Sequence, residues 1–183
     1  MNRITTYIRQ SLQDIYPPEE VKALSMLICC DMLGLDALDI YMGKDIILSE
    51  CKQRELENII FRLQKNEPIQ YIRGYAEFCG RNFRVAPGVL IPRPETAELV
   101  DLIVKENPDA CRLLDIGTGS GCIAISLDKN LPDAKVDAWD ISEEALAIAR
   151  KNNEELDAQV IFRRQDVFSA DGMQGASYDI IVS

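Results

Sequence analysis

Apolar residues change their spacing about two fifths of the way along this chain. Ile4, Tyr7, Ile8, Leu12 and Ile15 recur every three to four residues, which predicts an amphipathic helix. Pro17-Pro18 ends that pattern and opens a second helix, with Glu19 and Glu20 in its first turn. Val21, Leu24, Leu27 and Ile28 form its apolar side, and Gly34 is a plausible stop. A short helix is expected around Leu38 to Met42. Ser49 is placed to cap a longer one that buries Leu56, Ile59, Ile60 and Leu63 before Pro68 ends it. Residues 1–70 therefore read as a small helical domain, of a kind that more often recognises or supports than catalyses.

Between Tyr71 and Val89 the pattern becomes that of strands. Tyr71, Tyr75, Phe78, Phe83 and Val85 flank the turn residues Cys79-Gly80-Arg81-Asn82, so residues 71–89 are expected to form a β-hairpin linker. Pro94 then suits the first position of a helix whose apolar face is read as Leu99, Leu102 and Ile103. From residue 111 strands and helices alternate. Strands are expected at 111–117, 135–141, 158–164 and 177–183, and helices at Cys122 to Asn130 and Ser142 to Asn152. A polar loop with Gly172 and Gly175 precedes the last strand. Such alternation predicts a parallel sheet with right-handed crossovers, an α/β Rossmann-like fold over residues 90–183.

Composition narrows the chemistry. The 183 residues are 47% hydrophobic and 27% charged, as in an ordinary globular protein. No apolar run approaches the ~20 residues that span a bilayer, and the N-terminus lacks a signal-peptide pattern, so the cytosol is the expected location. The formal net charge of −10 makes direct nucleic-acid binding a poor expectation. Arg73, Arg81, Arg84 and Arg93, interrupted only by Glu77, are either a local basic patch or solvated hairpin charge. The six cysteines form no C-x-x-C pair and are expected to be small buried hydrophobes, with no metal site. The chain has no histidine, so any reaction here proceeds without imidazole.

The strongest local signal is Asp115-Ile116-Gly117-Thr118-Gly119-Ser120-Gly121, lying between a predicted strand and a predicted helix. Glycines there allow a sharp turn and close approach of a ligand to backbone N–H groups. Asp140 ends the next strand, where a carboxylate can accept from the vicinal hydroxyls of a ribose. The spacing is G-x-G-x-G, not the G-x-G-x-x-G of dinucleotide sites, and resembles the first motif of class I S-adenosylmethionine-dependent methyltransferases.

A longer likeness is more specific. PIQYIRGYAEFCGRNFRVAPGVLIPRPETAELV (68–100), LLDIGTGSGCIAISL (113–127), DISEEALAIARKN (140–152) and YDIIVS (178–183) together resemble the HemK/PrmC family of protein-(glutamine-N5) methyltransferases, for which IPRPET is characteristic. The resemblance implies S-adenosyl-L-methionine as cofactor and, as protein substrate, a class I peptide release factor, methylated on the glutamine of its Gly-Gly-Gln motif. It implies that Gly117, Thr118, Gly119, Ser120 and Gly121 hold the cofactor through the backbone and that Asp140 binds the ribose. Asp166 and Phe168 would lie near the adenine, and Arg93 and Thr96 near the methionine end. The helical N-terminal part would be the substrate-recognition domain.

Two departures from the family pattern stand out. Ala97 replaces a common glutamate, with little effect expected. The catalytic Asn-Pro-Pro-Tyr of the family follows directly after D-I-I-V-S, whereas this chain ends at Ser183. The expectation is a fragment with an incomplete C-terminus, weak cofactor binding, little or no turnover, and an open sheet edge prone to dimerisation or aggregation. Four alternatives remain at this point: a glutamine methyltransferase of a ribosomal protein, a cofactor-binding fragment without activity, a NAD-dependent oxidoreductase, and a DNA amino-methyltransferase.

Overall fold

The computed structural model describes residues 2–169 and 177–183, which form two units, Met1–Arg73 and Gly74–Ser183. The loop expected to contain Gly172 and Gly175 lies outside the described residues.

The first unit is helical: α1 (Arg3–Leu12), α2 (Pro18–Met26), a π-helix (Leu27–Met32), α3 (Ala37–Tyr41), α4 (Glu50–Gln64) and α5 (Ile69–Arg73). The Asn2, Asp36 and Ser49 side chains cap α1, α3 and α4 by accepting first-turn N–H groups. Ile8, Leu12, Ile28, Leu56 and Leu63 are the fully buried centre of its core. Tyr7 and Ile15, read as part of the apolar stripe, are substantially exposed. The second helix does not run regularly to its glycine. From Leu27 it widens into the π-helix, with the Leu33 N–H donating to the Ile28 carbonyl. Tyr71 lies in α5, not in a strand, because Ile72 N–H donates back to the Pro68 carbonyl and closes a helical turn.

The second unit opens with the antiparallel hairpin β1 (Tyr75–Phe78) and β2 (Arg81–Arg84). Its turn is only Cys79-Gly80, both with positive φ, so Arg81 and Asn82 belong to β2 and not to the turn. Phe78 and Phe83 meet edge to face in the core. There follow α6 (Pro94–Glu106), β3 (Arg112–Ile116), α7 (Cys122–Asn130), β4 (Lys135–Asp140), α8 (Glu143–Glu155), β5 (Ile161–Arg164) and β6 (Ile180–Val182).

The last four strands form one parallel sheet in the order β5-β4-β3-β6. The chain runs outward from β3 to β5 and then returns to the other side of β3. This reversal puts the switch-point crevice at the C-terminal ends of β3 and β6, with the end of β4 on its other flank, where doubly wound sheets bind ligands. Register places Ala138, Phe162, Val182 and Asp115 in one row and Asp137, Ile161, Ile181 and Leu114 in the next, on the opposite face. Against the first face pack Val100 and Ile103 of α6 and Ile125 and Leu127 of α7. On the other face Ile161 and Ile181 are about half exposed.

Helix α6 turns a different stripe inward from the one its sequence suggests. Val100 and Ile103 are buried, with Ala97 and Val104 packed beside them, while Leu99 and Leu102 are partly exposed. Ala97, the family departure, is thus a core contact, a place where a glutamate would bring charge against apolar neighbours.

Candidate functional site

Strand β3 delivers its chain into the glycine loop, and the loop is held from below by β4. The Gly117 and Thr118 N–H groups both donate to the Trp139 carbonyl, at 2.8 and 3.0 Å. The Gly121 N–H donates to the Thr118 carbonyl at 2.8 Å, which closes the turn into α7. Gly117, Gly119 and Gly121 have φ of +74°, +56° and +80°, a region that side-chain-bearing residues enter only with strain.

The three glycines differ in what surrounds them. A Cβ on Gly117 would meet nothing within 4 Å, and one on Gly119 only the Gly117 carbonyl at 3.9 Å. A Cβ on Gly121 would press on Ile125 Cδ1 (3.1 Å), Ala149 Cβ (3.2 Å) and Phe162 Cζ (3.3 Å). Gly121 therefore lets α7 pack against α8 and β5, whereas Gly117 and Gly119 leave open space above the loop.

Asp140, the last residue of β4, turns toward that loop. Its Oδ2 accepts the Gly119 N–H and its Oδ1 the Ser142 N–H, both at 2.9 Å. A carboxylate offers about four lone-pair sites, so each oxygen keeps one for a further donor. Beneath it, Asp115 is buried and accepts from Thr118 Oγ1 at 2.7 Å. Burial raises the Asp115 carboxyl to about 6, against the hydrogen bonds from Thr118 and the Ala124 backbone, with the nearby Asp140 charge adding to the rise.

The remaining candidates are placed as follows. Arg93 caps α6 through its backbone and is exposed, with no ion pair among the described residues. Thr96 is half-buried one turn into α6 and its N–H donates to the Arg93 carbonyl. Asp166 lies two residues past β5, where its Oδ1 accepts the Phe168 N–H at 2.9 Å and shapes a tight turn. The Phe168 ring is 95% exposed, so it is no core residue. Gln165 N–H donates to the Asp140 carbonyl and so draws this turn alongside the end of β4. Ser120 is buried, and its carbonyl accepts from Asn152 Nδ2 at 2.8 Å.

Asn152 was not singled out by the sequence reading. Its available signal was a polar residue on the buried stripe of α8, in line with Ala145, Leu146 and Ala149.

Of the arginines that could form either a basic patch or solvated hairpin charge, two are ion-paired. Arg84 pairs with Glu155 at 2.6 Å, Arg73 lies 3.6 Å from Asp31, and Arg81 donates to the Cys79 carbonyl. The cysteines do not all behave as buried hydrophobes. Cys29 and Cys122 are buried, but Cys51 sits on the outer face of α4 and Cys111 precedes β3, both exposed. Burial pushes the Cys122 thiol, at the start of α7, up to about 11, which leaves it un-ionised near neutrality. Among the described residues no group of three or more potential ligands could hold a metal ion. Among them also no helix is long and apolar enough to cross a membrane.

Residues 4–74 match the PrmC N-terminal domain and residues 95–183 the Methyltransferase small domain. A release factor glutamine methyltransferase of Bacteroides thetaiotaomicron is 96% identical over all of this chain, which covers 66% of that protein. The protein of the same name from Flavobacterium psychrophilum is 39% identical over 97% of this chain and 64% of its own length. The one from Koribacter versatilis is 49% identical over 82% of this chain and 54% of its own length. The chain thus spans just under two thirds of the first two relatives. Both halves of the sequence, the helical unit and the glycine-loop sheet, place it in one lineage: the chain belongs to the HemK/PrmC family of release factor glutamine methyltransferases.

Proposed function

We propose that this chain carries the cofactor-binding part of an S-adenosylmethionine-dependent enzyme that methylates the glutamine side-chain amide in the Gly-Gly-Gln motif of class I release factors. The observation that carries the reading is the Asp140 carboxylate, held against the glycine loop by the Gly119 N–H with a lone pair free on each oxygen. That arrangement fits a vicinal diol lying beside the loop. A Cβ on Gly117 would meet nothing within 4 Å among the described residues, which fits a nucleoside approaching the loop backbone there.

The cofactor would supply a methyl already activated by a positive sulfur, so neither metal nor imidazole is required of the protein. In this reading Gly117 to Gly121 present backbone to the cofactor and Asp140 grips its sugar. Asp166 and the exposed Phe168 ring flank the base, through a carboxylate acceptor and a stacking face. Arg93, exposed and without an ion pair among the described residues, is available to the amino-acid carboxylate, with Thr96 three residues on. The helical unit 1–73 serves recognition of the protein substrate.

An amide nitrogen is a poor nucleophile because its lone pair is delocalised into the carbonyl. It must be held in line with the methyl by acceptors for its N–H groups. In the family pattern that work falls to Asn-Pro-Pro-Tyr, which does not occur in residues 1–183.

Titration with S-adenosylhomocysteine against NADH tests the reading. Binding of the first and not the second is expected. Selective binding of NADH would favour the oxidoreductase and refute the proposal.

A further inference from the structure

The side-chain amide of Asn152 makes three hydrogen bonds in a place water does not reach. Its Oδ1 accepts the Arg84 N–H at 2.7 Å, and its Nδ2 donates to the Arg84 carbonyl at 3.1 Å and the Ser120 carbonyl at 2.8 Å. The residue is 1% exposed. The first two bonds treat Arg84 as a strand partner would, with the amide standing in for a neighbouring peptide. The third reaches the glycine loop. Both amide hydrogens are committed, and the orientation is dictated by two carbonyls on one side and an N–H on the other.

The two anchored points belong to different segments of the chain. Ser120 immediately precedes Gly121, the N-cap of α7, so its carbonyl lies outside the helical ladder and depends on another partner. Arg84 ends β2, from which the chain runs through the buried Val85 and Val89 to Arg93, Pro94 and Thr96. We propose that Asn152 is a positioning residue: through one amide it couples the hairpin, and with it the Arg93–Thr96 segment, to the loop that holds the cofactor. It touches neither cofactor nor substrate. A second tie between β2 and α8, the Arg84–Glu155 ion pair, is solvent-exposed on both sides and does not reach the loop. The cofactor part of this inference rests on the function proposed above; the mechanical coupling does not.

The test uses the 183-residue chain with S-adenosylhomocysteine as probe and two readouts, binding affinity and amide hydrogen exchange. Asn152→Leu keeps the branched shape and removes all three bonds. It is expected to weaken binding about tenfold or more, well below the melting temperature. Exchange should accelerate together in segments 84–89 and 119–123. Asn152→Asp keeps the acceptor for Arg84 but sets a carboxylate against two carbonyls. It should bind poorly at pH 8 and recover toward wild type as pH falls and the acid regains one donor, a profile that leucine cannot show. Glu155→Gln removes only the exposed tie and should bind within twofold of wild type. If Asn152→Leu does not fold, the pH recovery of Asn152→Asp decides. A folded Asn152→Leu with affinity within twofold of wild type overturns the proposal, as does faster exchange in only one of the two segments. Absence of binding by wild type would refute the proposed function instead, and the paired exchange rates would still decide the coupling.

Discussion

Replacing Gly121 or Gly117 with alanine separates two reasons for glycine in one loop. Both positions have φ in the left-handed region, +80° and +74°, where a side-chain-bearing residue costs about 1–2 kcal/mol. At Gly117 nothing more is added, because the new methyl enters open space. At Gly121 it meets three carbon atoms at 3.1–3.3 Å. Ile125 Cδ1 can swing aside, but Ala149 Cβ is fixed to the α8 backbone and cannot. Overpacking of this kind costs a further ~1–3 kcal/mol. Gly121→Ala should therefore lose roughly 2–5 kcal/mol of stability and Gly117→Ala roughly 1–2 kcal/mol. Urea unfolding followed by tryptophan fluorescence measures both, since the single Trp139 is buried beneath the loop. Affinity for S-adenosylhomocysteine should rank them the other way per unit of stability lost. The Gly117 methyl occupies space assigned to the ligand, whereas the Gly121 methyl points into the protein. Equal destabilisation by the two alanines would refute the packing argument, and undiminished affinity in Gly117→Ala would refute the placement of the ligand.

Three further outcomes are expected. Asp140→Ala removes the acceptor of the Gly119 and Ser142 N–H groups, and calorimetric titration should show S-adenosylhomocysteine affinity reduced at least tenfold, with Asp140→Asn intermediate. Asp115 is raised from 3.8 to about 6 in the folded protein, so the folded state holds the extra proton between those values. Stability from this group is full below about pH 4 and is lost as pH rises through 6, by about 3 kcal/mol in all. Urea titrations should show wild type losing that much relative to Asp115→Asn between pH 4 and pH 8; an unchanged difference would place the Asp115 carboxyl near its ordinary value. In the helical unit, Tyr16→Phe removes the hydroxyl that donates to the Leu63 carbonyl at 2.8 Å, and should cost about 1 kcal/mol in thermal unfolding without altering cofactor affinity.

Much of this protein is local, and local information is written in residue spacing. The three-to-four-residue period over Leu56, Ile59, Ile60 and Leu63 names the buried face of α4, because residues one turn apart share a side of any helix. The cap Ser49, the start of α6 at Pro94 and the loop Gly117 to Gly121 depend on backbone geometry within a few residues, and the sequence alone specifies them. Asp140 could be placed at a strand end by the same means. What spacing could not decide was anything settled by a distant partner. Helix α6 carries two adjoining apolar stripes, and only packing against α7 and the core it shares selects Val100 and Ile103 over Leu99 and Leu102. Tyr71 has strand propensity but follows the helical turn started at Pro68. The strand order β5-β4-β3-β6, the turn of the Asp140 carboxylate onto Gly119 and the bond from Asn152 to residues 32 and 68 positions away exist only once the chain has closed on itself. Periodicity fixes which residues can share a face; the pairing of one face with another depends on contacts between segments far apart in the chain, and tertiary structure alone decides those.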